Sequence, residues 1–148
     1  VPNGGPGDTS GVRLELTRRG DYAVRAMLTL AHEDGDRWLS VSRISNRMNI
    51  PERFLPRVMA DLVRAGLVEG HLGRSGGYRL ARPAAAISLL EVIRAAEPAD
   101  EDKTCILRGG PCGVDGRCAV HEVFTEAREA LVARLASATL AEVGEHSA

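Results

Sequence analysis

Cys105, Cys112 and Cys118 are the only cysteines of this 148-residue chain. They fall within fourteen consecutive positions, spaced C-x6-C-x5-C, and His121 follows three residues after the last. Thiolates bind soft metals, and imidazole serves several of the same ions. If Cys118 opens a helix, Cys118 and His121 share one face of its first turn, where the helix dipole favours thiolate. Three unrelated buried thiols fit poorly, because Gly109, Gly110, Pro111 and Gly113 make the segment loop-like rather than core. Two metal readings stay open on spacing alone. One is a structural zinc ion held by the three Cys and His121, although zinc sites usually contain a close C-x2–4-C pair and none is present. The other is an iron–sulfur cluster held by three Cys and a fourth ligand from elsewhere, which the wider gaps suit. An enzyme nucleophile is not favoured, since no His/Asn/Asp arrangement can be placed beside the thiols.

A second set of residues has the chemistry to contact nucleic acid. Arg53 and Arg57 lie four apart on a predicted helix, with Glu52 and Arg64 on the same polar side. An arginine fork can bond guanine O6 and N7 or clamp a phosphate. Downstream, Gly73-Arg74-Ser75-Gly76-Gly77 lifts Arg74 to a Gly-rich tip, with Arg79 just beyond it. Thr17 is a good N-cap, and with Arg18 and Arg19 it would offer a phosphate the free N–H groups of a helix start. Exposed arginines also serve solubility alone, but an adjoining hairpin favours contact.

The elements that must hold these residues follow from periodicity. Tyr22, Ala23, Ala26, Met27 and Leu30 form one apolar face of a first helix, which should end before Asp34. Trp38 to Val41 reads as a short extended piece. Val41, Ile44 and Met48 line a second helix. Asn49-Ile50-Pro51 is a turn, and Phe54, Leu55, Val58, Met59 and Leu62 line a third helix that Gly66 stops. Pro56 is tolerated only in a first turn, so this helix either begins late, near Glu52 or Arg53, or is distorted at its start. Residues 67–72 and 78–81 flank the Gly-rich tip as a β-hairpin. Two helices, a tight turn and a hairpin make a winged helix-turn-helix, whose second helix enters a major groove. Beyond Pro83, a helix is predicted over 87–97 with Ser88 as N-cap, then a loop over 98–117. A long helix follows from Cys118 to Leu135, with Val120, Val123, Phe124, Ala127, Leu131 and Leu135 on one side. Thr139 and Glu142 read as a capping box for a short last helix.

Charge divides along the same line. Residues 12–82 hold thirteen Arg and eight Asp/Glu, a net of +5, and residues 83–148 hold six Lys/Arg and eleven Asp/Glu, a net of −5. A basic half beside an acidic half suggests a nucleic-acid-binding part joined to a regulatory or assembly part. Aromatics make up only 3% of the chain, so Leu, Val, Ile and Ala must build the core, which favours helices over a β-sandwich. There is no apolar run near the roughly 18–20 residues of a membrane span. The polar, Gly/Pro-rich start is not a signal peptide. The expectation is a cytoplasmic protein without membrane contact. An odd number of cysteines argues against a disulfide framework there.

Together these stretches resemble the IscR/NsrR-type family of winged-helix iron–sulfur transcription regulators. The matching residues are Leu16 to Met27, the turn-helix Ile50-Pro51 to Leu62, Gly73 to Tyr78 and the three cysteines, within a likeness covering about 13–143. The first cysteine gap is one residue longer than usual, and Leu72 stands where relatives often carry Arg. The resemblance implies a mainly α fold: a disordered extension over 1–11, a winged helix-turn-helix over 12–83, and a cluster loop with dimerisation helices over 84–148. It implies a homodimer on a roughly two-fold double-stranded DNA operator, with Thr17, Arg53, Arg57 and Arg74 as candidate contacts. It also implies a 4Fe–4S or 2Fe–2S cluster whose gain, loss, oxidation or nitrosylation changes DNA affinity. Cys105, Cys112 and Cys118 would be ligands. The fourth would be His121, as in the iron–sulfur-homeostasis type, or Asp21 of the other subunit, as in the nitric-oxide-sensing type. The alternative is a zinc-stabilised dimeric DNA- or protein-binding module without sensing chemistry.

Overall fold

Short polar side chains set where the helices begin. The computed structural model describes residues 14–33, 37–97 and 118–145. Thr17 accepts the Gly20 N–H at 3.2 Å and opens α1, Arg18–His32. Ser40 accepts the Arg43 N–H at 3.3 Å and opens α2, Val41–Met48. Asn49 ends α2 in the left-handed region, φ 52°, which Asn tolerates better than most side chains. The Pro56 conflict is resolved by a distorted start: Glu52–Phe54 forms a 3-10 turn, and α3 runs Leu55–Arg64. Pro56 therefore sits in the first α-turn, where its missing N–H has no intrahelical role.

Gly66, at φ 75°, turns the chain into the hairpin of β1, Val68–His71, and β2, Gly77–Leu80. The strands are antiparallel, with Glu69 opposite Arg79 and His71 opposite Gly77. The expected extended piece after α1 is a single residue pair. Leu39 donates to and accepts from Tyr78 at 2.9 and 2.8 Å, so β2 is flanked on both sides. After a 3-10 turn at Ala84–Ala86 come α4, Leu89–Ala96, then α5, His121–Ser137, and α6, Leu140–Glu145. Ser88 opens α4 in a reciprocal capping box with Glu91. Thr139 accepts the Glu142 N–H at 3.1 Å and starts α6. Ser88 and Thr139 also form a bridge that returns α6 to the start of α4.

One buried cluster joins both sides of Pro83. Ala23, Ala26, Met27 and Leu30 of α1 lie with Ile44, Leu55, Val58, Met59 and Leu62, and with Ile87, Val92, Ala96 and Leu140. The core is aliphatic, as the composition requires. One expectation for the long helix needs correction. It begins at His121 and not at Cys118, because the first α-type bond runs from the Phe124 N–H to the Val120 carbonyl. Although α5 packs against α4, it buries no residue fully, and Val123, Phe124 and Leu131 are 66, 42 and 39% exposed. The expected disordered extension over 1–11 and the loop over 98–117 lie outside the described residues.

The Glu91 carboxyl is held below its ordinary pKa, first by the hydrogen bond from Arg82 and then by the Ser88 N–H. A lowered folded pKa means that the ionised form stabilises the fold above the unfolded value and that this contribution is lost as the pH falls through the folded one. Ser88→Ala is expected to cost about 1 kcal/mol in chemical denaturation at neutral pH. The advantage of wild type over Glu91→Gln should be constant above about pH 5 and shrink in more acid solution.

Candidate nucleic-acid interface and metal-ligand segment

Helix α3 separates its two faces cleanly. Leu55, Val58, Met59 and Leu62 turn into the core, while Pro56, Arg57 and Ala60 are exposed. Arg57 has no ion pair among the described residues and stands on the outward face. Arg53 does not share a regular helix with Arg57, since it lies in the 3-10 turn. Its guanidinium sits 4.7 Å from the centroid of the Phe54 ring, and Phe54 stacks in turn on Tyr22 of α1 at 6.0 Å. A cation on a ring face is oriented without being neutralised, so Arg53 keeps its charge for an outside partner. Glu52, expected beside it, is drawn back by the Ser42 hydroxyl at 2.9 Å.

The hairpin carries Arg74 on an exposed tip. Arg79 is not available in the same way. It pairs with Glu69 at 2.8 Å and lies over the Trp38 ring. Arg64 is exposed but bonds Asp61 at 3.2 Å, and Asp61, itself buried, also pairs with Arg19. Arg19 therefore ties α1 to α3 and is not a spare cation. Arg43 of α2 is exposed, again with no ion pair among the described residues. The sequence reading passed over it, although its position in the first turn behind the Ser40 cap was the available signal.

The start of α1 is already occupied. The Thr17 hydroxyl caps Gly20, and the Thr17 N–H donates to the Glu97 carboxylate at 2.7 Å. A Cβ at Gly20 would collide with that carboxylate. Glu97 thus takes the favourable field of the helix start, which the sequence offered to a phosphate. Thr17 has its hydroxyl and its amide committed within the fold, and the exposed group beside it is Arg18.

Of the metal-ligand candidates, Cys105 and Cys112 lie outside the described residues. Cys118 is half-buried just ahead of α5, where its carbonyl accepts the His121 N–H at 3.0 Å. His121 is the first residue of α5. Asp21, in the first turn of α1, meets Arg25 with both oxygens at 3.0 Å, and Arg25 also donates to the Met48 carbonyl at 3.3 Å. Asp21, Tyr22, Arg25 and Pro51 line an open cleft of about 820 Å³ at the root of α3. Among the described residues, no three His, Cys, Asp or Glu side chains converge on a metal-sized site. The donor chemistry fits a cluster or zinc only when Cys105 and Cys112 join Cys118.

The described residues include no helix long and apolar enough to cross a membrane. The model of the Rrf2 family, described as iron-dependent transcriptional regulators, matches residues 16–146. The regulator IscR of Klebsiella pneumoniae is 33% identical over 130 residues, which cover 88% of this chain and 79% of that protein. Among solved structures, CymR, titled the global cysteine regulator of B. subtilis, aligns with a TM-score of 0.75 at 28% identity, covering 90% of this chain and 98% of CymR. IscR of T. potens aligns at 0.73 and 28% identity, covering 91 and 89% of the two chains. The winged helix-turn-helix and the near full-length match agree, and the chain belongs to the Rrf2 family of DNA-binding transcriptional regulators.

Proposed function

We propose that this regulator binds a two-fold DNA operator as a homodimer and that an iron–sulfur cluster on its C-terminal half sets the affinity. The observation that carries the DNA reading is the outward face of α3, with Arg57 unpaired among the described residues beside the exposed, ring-supported Arg53. On this reading residues 12–83 form the DNA-reading part. Arg53 and Arg57 face the major groove, and Arg74 on the wing reaches the backbone or the minor groove. Thr17 acts by capping α1 and presenting Arg18. Residues 84–148 form the sensing and pairing part.

The dimer reading is supported by α5, on which Val123, Phe124 and Leu131 remain exposed. Cys105, Cys112 and Cys118 would hold the cluster. The fourth ligand would be His121 or Asp21 of the partner subunit, with Arg25 as the group Asp21 must share or release. Bound there, a cluster supplies a centre open to redox change, to nitric oxide and to loss when iron or sulfide is scarce. The chain's own part is to place the cysteine segment next to α5, and Asp21 beside the cleft at the root of α3. CymR, a structural neighbour, is titled a cysteine regulator, so the fold alone does not select the signal.

Three outcomes are expected. Anaerobic purification should give a brown protein with matched iron and sulfide, colourless after Cys112→Ala. Asp21→Ala and His121→Ala would then identify the fourth ligand by loss of visible absorption. Stoichiometric zinc without iron after reconstitution would overturn the cluster reading. On a duplex that the purified chain selects from a randomised pool, Arg74→Ala should reduce the salt slope of log K by about 1. Arg57→Ala should relax base preference at one position, costing about 1–3 kcal/mol there. An unchanged slope and preference would remove these roles. Leu131→Glu should sediment as a monomer and bind the two-fold duplex about tenfold or more weakly than wild type, since the second half-site loses its tethered partner.

A further inference from the structure

The wing is held to the helix-turn-helix at the edge of the aliphatic core, where Leu39 is buried and Tyr78 packs against it. The connector between α1 and α2 passes alongside β2, and Leu39 bonds Tyr78 in both directions. The backbones approach so closely that a Cβ at Gly77, φ 147°, would collide with the Leu39 carbonyl. Trp38, next to this bridge, is half-buried, is not a member of the core cluster, and is the only tryptophan of the chain. Its indole touches both strands. The Arg79 guanidinium of β2 lies 4.4 Å from the ring centroid, and the His71 ring of β1 meets it edge-on at 5.5 Å. Arg79 is fixed from the other side by Glu69, its cross-strand partner. His71 is the last residue of β1, immediately before the tip that carries Leu72, 95% exposed, and Arg74.

We infer that Trp38 is a positioning residue for DNA binding: by gripping Arg79 and His71 it fixes the angle at which the wing presents Arg74. A four-residue, two-stranded hairpin is not rigid by itself. Backbone bonds at Leu39 hold β2 at Tyr78, one pair short of its tip end, but they leave the strands free to rock about that line. The indole adds the missing constraint on both sides of that line, since His71 lies one pair toward the tip and Arg79 one pair toward the root. Cation and ring together constrain orientation more than they contribute to stability at an exposed site. Loss of Trp38 should therefore change what the tip reaches while leaving the core, and the face of α3, in place.

The inference rests on the reading of Arg74 as a DNA contact, and the test separates the two. Binding to the selected duplex is measured for wild type, Trp38→Ala, Arg74→Ala, Arg57→Ala and the Trp38→Ala double variants with each. Trp38→Ala should weaken binding about three- to tenfold and flatten the salt slope as Arg74→Ala does. The Arg74→Ala penalty should largely vanish in the Trp38→Ala background, while the Arg57→Ala penalty persists in full. Trp38→Phe, which keeps a ring face, should restore most of the affinity. Penalties of Trp38→Ala and Arg74→Ala that simply add, or equal coupling to Arg57, would overturn the inference as a general loss of structure. Amide hydrogen exchange supplies the readout that does not depend on DNA. Exchange over residues 68–80 should quicken in Trp38→Ala with α1 and α3 unchanged, and unaltered exchange there would also overturn it. If Arg74→Ala alone is silent in binding, the wing-contact reading fails, and the exchange result still decides whether Trp38 sets the wing.

Discussion

Close packing around α1 is the constraint on which the other elements depend. Its inner face is Gly20, Ala23, Ala26, Met27, Thr29 and Leu30, and α2, α3, α4, α6 and β2 all pack against this helix. Small side chains let several backbones approach one helix at once, and Met27 and Leu30 supply the apolar volume between them. At Gly20 the missing side chain leaves room for the Glu97 carboxylate beside the helix start. A helix packed on so many sides cannot shift alone. Whatever acts on the first turn of α1, where Asp21 lies, acts on an element shared by the DNA-reading and C-terminal parts.

Arginine use shows how the fold sorts the charges of an arginine-rich sequence. Arg19, Arg25, Arg47, Arg79, Arg82 and Arg134 are taken into ion pairs that tie turns, strands and helices together. Arg43, Arg53, Arg57 and Arg74 stay exposed without such a pair among the described residues. Exposed ion pairs add little stability, so the effect of the sorting is chiefly to aim charge. It leaves positive charge on α2, on α3 with its preceding turn, and on the wing tip, which are the elements a winged helix-turn-helix turns toward a duplex.

Helix α5 obeys a different rule from the rest. It is as long as α1 and has an apolar side, yet none of its residues is buried in the protomer. Its exposed Val123, Phe124 and Leu131 are apolar surface that a partner could cover. The stripe begins one turn after Cys118 and His121, so the candidate ligands and the candidate pairing surface occupy one continuous stretch of chain.

The sequence by itself determined the order of elements and most of their limits, because those depend on local signals. The Thr17 and Ser88 caps, the stop at Gly66 and the Gly-rich wing tip are where the residue types placed them. The buried faces of α1 to α3 were legible for the same reason, since apolar period needs only neighbours three and four positions away. Tertiary structure alone decided which charged groups are spent. Arg19 meets Asp61 across 42 positions, and Thr17 meets Glu97 across 80, so no local pattern could separate them from Arg57 or from an open phosphate site. It also decided that Phe54 stacks on Tyr22, that Trp38 touches both strands of the wing, and that Val123, Phe124 and Leu131 of α5 stay exposed. The physical reason is common to all of these. Period and capping are short-range properties of a chain, whereas the partner of a charge or a ring is set by which distant elements the core brings together.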